Sequence, residues 1–512
     1  MYEPNETPFP FWGSSRNTKG GRDPLAVQNS SVVIYTNMIT GITNVTARVR
    51  YNGFFCWLLT MIAEHLGKID ISKIDSPSEQ IKLIRRGELL LAYIMLDSYP
   101  KVTGVSGSIF AEKKIDGDII DLSLGADYKN KPKIYWQNPN GIFGQYYIGV
   151  LSQLKLIYIP SGNHKTFRVT RDGLTLANIF SESQPANVEE SFWKAISTGE
   201  IAKSKLKDMK TLALHLIENN KELDEYQRIF CQPDRQDYKH QGNYISHRID
   251  SIKLILEYIR TEGNHVQPKD FVLSFLKYNF EHVLLDITKA SDVQQSWFLY
   301  ELNELTHAAY EAFHFAILYS ISEEPQPLEL IMEKLHDEFN HKVSNEHNRN
   351  IYVLYEKIGH SYKNEDYGAL LYTAAQLLIL LKEKTEPIFE ELIAIANQEN
   401  YDIQHPGFAP SLLSRLVNNA SIVNWAFVED CLYTAINEHL RSSYSKSTIG
   451  QGLVHNYMVE DDLIWQLRRP EPIRTSPRLQ NVMLYIEDIK WIEKLEDNYK
   501  ITERGFKILN DD

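Results

Sequence analysis

Cysteine is scarce in this sequence. The three that occur among 512 residues, Cys56, Cys231 and Cys431, stand far apart, with no CxxC or Cys/His spacing that could build a zinc site. A disulfide-stapled fold is thereby excluded, and a reducing, cytoplasmic setting is expected. Positive charge is in the minority too. With 54 Lys and Arg against 67 Asp and Glu the formal charge is -13, which rules out a chain that is basic all over. The most apolar run, Ala369 to Leu381, falls short of the ~18 to 20 residues a bilayer needs. Thr373 and Gln376 interrupt it, so it predicts a buried core helix and no membrane partner. The opening MYEPNETPFPFWG carries acids and prolines where an export signal needs a basic start and an apolar middle. No GxxxxGK[ST] loop or cofactor fingerprint occurs, so neither ATP hydrolysis nor a bound cofactor is expected.

What is present is the composition of a folded protein, 43% hydrophobic and 24% charged, and a strong helical period. Segments such as FVLSFLKYNFEHVLLDI and SWFLYELNELTHAAYEAFHFAILYSI repeat apolar residues at three- and four-residue steps between about residues 190 and 440. The expected fold is mainly α, a multi-helix body with two small α+β modules. Along the chain this divides into an N-terminal helical unit with an irregular arm and loops (1–135), a first module (136–185), an all-α body (186–445) and a second module (446–512). No Ser/Gly-rich linker separates them.

The modules rest on an internal similarity. Residues 146–180 and 481–509 share a helix, a polar turn, an extended apolar residue, Thr, two variable residues and Gly, with Val169, Thr170 and Gly173 matching Ile501, Thr502 and Gly505. Each resembles the end of a winged-helix module: recognition helix, β-wing and a closing helix capped by the Thr. Lys155, Lys165, Arg168 and Arg171 give the first module local positive charge, and Arg468, Arg469, Arg474 and Arg478 precede the second. Such clusters can neutralise phosphates of DNA or RNA despite an acidic total, because binding follows the local field. Pairing with surface acids is the alternative.

One helix carries a polar stripe. Glu304, His307, Glu311 and His314 make two Glu-x-x-His steps that fall within about 80° of one face. Carboxylate and imidazole at that step can share a metal, though normally with ligands from other helices. Trp297, Phe315 and Leu318 continue the stripe, which fits a buried polar seam better than a solvated face. No metal site is therefore expected, these four residues being the candidates if one exists. RQDYKH (235–240) and RTEGNH (260–265) have the Arg-x4-His spacing of HEPN-type ribonucleases but lack the Asn, Asp or His that usually follows the Arg.

The strings DPLAVQNSSVVIYTNMITGITNVTARVRYNGFFCWLL, IRRGELLLAY and YEAFHFAI resemble a poorly characterised family of bacterial proteins found among antiphage defence genes. That resemblance implies a cytoplasmic defence component working beside other defence-system proteins. Within it, Arg48, Arg50, Arg85 and Arg86 are candidates to hold an anion or an acidic partner, since Arg makes two-point contacts to phosphate and carboxylate. Internal pairing with acids such as Glu64 or Glu88 competes with that use. The expected function is a non-catalytic nucleic-acid-recognising or scaffolding subunit of an antiviral defence system. A metal-dependent nuclease using the Glu/His face and a pure assembly subunit are the alternatives, and self-association is left open.

Overall fold

The computed structural model describes residues 23–67, 76–129, 133–159, 166–231, 244–262, 267–322, 324–342, 348–416, 422–446, 454–472, 474–495 and 498–510. The fold is mainly helical, with a few short antiparallel strand pairs. It divides into two compact units, one of residues 1–36 and 273–476 (the helical unit), the other of residues 37–272 and 477–512 (the module unit). Both are assembled from segments distant in sequence, so the stretch 186–445 contributes to each.

The helical unit is organised on the 29-residue helix Asp292–Ser320. Ser291 starts it with a capping box: its hydroxyl accepts from Gln294 N–H while the Gln294 side chain accepts from Ser291 N–H at 2.9 Å. These bonds satisfy donors that the first helical turn cannot pair internally. Buried residues lie on every face of this helix, as expected of a central element rather than an amphipathic surface one. Helices Tyr367–Thr385 and Trp425–Lys446 pack against it, and Ile351–Lys363 packs on Tyr367–Thr385. The helix predicted from Ala369–Leu381 is the first of these, Tyr367–Thr385, with Thr373 and Gln376 buried inside it. A three-stranded antiparallel sheet (Gln326–Pro327, Leu463–Gln466 and Tyr457–Glu460) closes one side.

The module unit contains the aromatic helix Tyr51–Gly67, the long helix Ser76–Ser98 and both copies of the repeated pattern. Each copy is a helix, a two-stranded hairpin and a helix. The first runs Ile148–Gln153, Ile157–Tyr158 paired with Arg168–Val169, then Arg171–Glu182. The second runs Leu479–Asp488, Ile492–Leu495 paired with Asn498–Ile501, then Glu503–Asn510.

The two copies share one hydrogen-bond lattice. Lys155 and Lys490 both leave the preceding helix in the left-handed conformation, at φ 57° and 59°. In one copy Lys155 N–H reaches Ser152 O and Leu156 N–H reaches Leu151 O; in the other Lys490 N–H reaches Glu487 O and Trp491 N–H reaches Ile486 O. Both are Schellman endings, which satisfy carbonyls that the last turn leaves open. Thr170 Oγ1 then donates to Lys155 O at 2.5 Å and accepts from Gly173 N–H at 3.1 Å, and Thr502 does the same with Lys490 O at 2.6 Å and Gly505 N–H at 3.2 Å. The glycine is required by proximity: a Cβ at Gly173 would lie 2.0 Å from Leu156 O, and one at Gly505 2.2 Å from Trp491 O.

Candidate functional site

The polar stripe of helix Asp292–Ser320 is buried from end to end, with Glu304, His307, Glu311 and His314 all at 5% exposure or less. The predicted seam is therefore present, but it is not one constellation. Glu304, His307 and Glu311 line a cavity of about 620 Å³ inside the helical unit. His314 belongs to a separate knot: its Nε2 accepts from the Asn456 amide at 3.0 Å, and Tyr457 Oη lies 3.3 Å from Nδ1. His439 completes the knot, its Nε2 accepting Asn456 N–H at 3.0 Å, so that Nδ1–H donates to Pro24 O at 3.0 Å. Burial holds both imidazoles below their ordinary range, His439 at about 4.

Along the cavity floor Glu304 is half committed. Its Oε2 accepts from Thr475 N–H at 3.0 Å and lies 3.6 Å from Arg474 Nε, whereas Oε1 has no hydrogen-bond partner. His307 Nε2 lies 2.7 Å from Gly407 O, which makes it the protonated nitrogen and leaves Nδ1 a bare lone pair without a hydrogen-bond partner, 3.9 Å from Glu304 Oε1. Burial lowers the His307 pKa, with Glu304 opposing. Glu311 accepts from the Gln28 amide at 3.1 Å, and burial pushes its carboxyl up to about 8. Tyr319, Tyr355, Tyr362 and Tyr367 form aromatic walls, and the exposed Glu356, Lys363, Glu365 and Glu471 stand at the mouth. Among the described residues no three His, Cys, Asp or Glu side chains group to hold a metal ion. Helix Leu328–Lys342 carries two further Glu/His steps, Glu333/His336 and Glu338/His341, but none of these side chains lines the cavity, and His336 packs against Trp425.

Arg474, read from sequence as a phosphate contact, lies in the helical unit. It is ion-paired to Glu301 and Glu304 and sits over the Tyr355 ring, 5.5 Å from its centroid. Arg469 is exposed and stacks on Tyr319 at 5.2 Å, and Arg468 is half-buried. Arg478 belongs to the module unit, where its Nη1 donates to Ile42 O at 2.9 Å. The basic string before the second module is thus spent mostly on holding the fold. In the first module Arg168 and Arg171 are exposed and Lys155 is half-buried, while Lys165 and the hairpin tip lie outside the described residues, as does the whole of 235–240.

The four N-terminal arginines are all engaged within the module unit. Arg48 pairs with Asp488 at 2.7 Å, Arg50 with Glu222 at 2.8 Å and Arg86 with Asp127 at 3.0 Å. Arg85 is fully buried and donates to the carbonyls of Ala126, Asn138 and Trp136 at 2.5, 2.6 and 3.0 Å. Three of the four thus pair with internal carboxylates, and the charge of Arg85 acts on Glu88 without a direct ion pair. Glu88 instead accepts from Tyr135 and from Phe143 N–H, and burial raises its pKa to about 8.

The tyrosine walls carry no signal of their own in the sequence beyond the spacing of Tyr355 and Tyr362, which at seven residues apart share one helix face. Gln28 and Gly407 join the floor only through tertiary contact. Comparison of the chain with protein-family models, curated proteins and solved structures finds no match.

Proposed function

We propose that this protein is a non-catalytic recognition subunit whose module unit contacts the phosphate backbone of nucleic acid through cationic positions repeated in its two winged-helix-like modules. The observation that carries this reading is the placement of charge on the shared lattice. Lys155 and Lys490 occupy the same left-handed helix-ending position, and Arg168 and Lys500 the same strand position, each directly preceding the apolar residue and capping Thr. A left-handed lysine costs about 1 kcal/mol relative to the conformation it prefers, and glycine is the usual residue there. Two lysines at that place, where glycine is less strained, support a use outside the fold. Arg168, Lys490 and Lys500 are exposed. Lys500 reaches Glu493 at 3.6 Å, but an exposed pair of this kind contributes little and yields to a phosphate.

The resemblance carried by residues 23–59, 84–93 and 310–317 supports assigning this subunit to a bacterial antiviral defence complex. The test is fluorescence anisotropy of the full chain with duplex DNA, single-stranded DNA and RNA across a salt series. Affinity should fall steeply with salt, and Arg168→Ala with Lys500→Ala should reduce the logarithmic slope by about one for each phosphate that is no longer neutralised. No binding at low salt, or a slope unchanged in the double variant, overturns the reading and leaves assembly of protein partners as the function.

A further inference from the structure

We infer that the cavity of the helical unit is a binding site for a small organic cation that carries N–H donors, an amine or a guanidine. The site belongs to the helical unit and goes beyond the proposed nucleic-acid contact. Its volume, about 620 Å³, is that of a small-molecule site. Two bare acceptors stand at the floor, and the one buried, unpartnered hydroxyl among the described lining residues, Tyr362 Oη, can donate to only one of them. Glu304 Oε1 and His307 Nδ1 both lack a hydrogen-bond partner in side chains at most 4% exposed, and a buried acceptor left unmet is destabilising. His307 cannot turn donor at Nδ1 without protonation, because its Nε2–H is committed to Gly407 O. A ligand that satisfies this floor must therefore donate.

Charge narrows the class further. Glu356, Glu365 and Glu471 line the cavity against Lys363, while Arg474 is already held by Glu301 and Glu304. Phosphates, nucleotides and carboxylates are disfavoured by that field. Aromatic walls beside carboxylates are the surroundings in which ammonium and guanidinium groups bind, through the negative face of the ring and the nearby anion. The depth order agrees: acceptors at the buried floor, tyrosine along the wall, carboxylates at the exposed mouth.

Gly359 provides a variant that blocks the site without disturbing the core. It lines the cavity from a helix, is exposed, and a Cβ there would meet nothing within 4 Å. The experiment is isothermal titration calorimetry of the full chain with putrescine, spermidine and agmatine at fixed ionic strength, with citrate and ATP as anionic probes. Saturable one-to-one binding of at least one amine is expected, weakened at least about tenfold in both Gly359→Phe and Glu304→Gln, with the thermal unfolding of each variant measured to confirm that it is folded. Absence of saturable amine binding, amine binding unchanged in a folded Gly359→Phe, or saturable binding of the anions in place of the amines overturns the inference.

Discussion

The Arg50 guanidinium meets the Glu222 carboxylate at two points, Nε to Oε1 at 2.8 Å and Nη2 to Oε2 at 3.1 Å, with both side chains buried. The remaining nitrogen donates to the carbonyls of Thr211 and Ala213 at 2.9 and 2.6 Å. An arginine that stood out as an anion site in the sequence therefore joins the start of helix Tyr51–Gly67 to helix Asn220–Cys231, and the anion it holds is internal.

Removal of one partner leaves the other buried and uncompensated. Glu222→Ala is expected to destabilise the module unit by about 3 to 5 kcal/mol. The exposed pair Lys205 and Asp208, at 3.1 Å, is expected to contribute less than about 1 kcal/mol. Urea denaturation of Glu222→Ala and Asp208→Ala checks the contrast, and equal decreases in stability would contradict it.

The left-handed lysines give an opposed pair of effects. Lys155→Gly and Lys490→Gly should each stabilise by roughly 0.5 to 1 kcal/mol, because glycine adopts φ near 60° without a Cβ clash. Binding to nucleic acid should weaken in the same variants. Thermal melts and anisotropy on one preparation show whether stability and affinity move in opposite directions.

Glycine position matters for the opposite reason at Gly173 and Gly505. An added methyl would meet a backbone carbonyl at 2.0 and 2.2 Å, so Gly173→Ala and Gly505→Ala are expected to cost about 2 kcal/mol or more through displacement of helix from strand. Gly149, exposed inside the preceding helix with open space at its Cβ, should instead gain about 0.5 to 1 kcal/mol on Gly149→Ala. Opposite shifts in melting temperature distinguish the sites.

Stability of the helical unit should depend on pH from both sides. His439 is held down to about 4, so its contribution is present above the unfolded value near 6.5 and is lost as pH falls toward 4, up to about 3 kcal/mol. Glu311 is pushed up to about 8, so its contribution is complete below the unfolded value and is lost as pH rises through 8. Glu311→Gln keeps an acceptor for Gln28 and removes the ionisation. It should match the parent protein near about pH 5 and exceed it by on the order of 3 kcal/mol near about pH 9. Melts of both proteins at both pH values test the sign, and a difference between Glu311→Gln and the parent that does not grow from about pH 5 to about pH 9 would refute it.

Features governed by near neighbours were legible in the sequence. The helical period predicted the core helix around Ala369–Leu381, and the Thr-x-x-Gly pattern predicted the caps at Thr170 and Thr502, because these bonds span three residues. The stripe of Glu304, His307, Glu311 and His314 followed from angular spacing, and its apolar continuation pointed to burial. Spacing along one helix carries no information about what faces it. That is why one stripe splits into a cavity floor and a closed histidine knot, whose partners Gly407, Asn456 and Tyr457 come from 100 or more residues away.

Charge shows the same division. The sequence alone determined an acidic total with local basic clusters, and through it excluded indiscriminate phosphate binding. Only the tertiary structure decided which of those cations remain outside. Arg474 is drawn onto Glu301 and Glu304 while Arg168 and Lys500 stay exposed, since the fate of a long cationic side chain is set by the carboxylates and carbonyls that folding brings within about 3 Å of it.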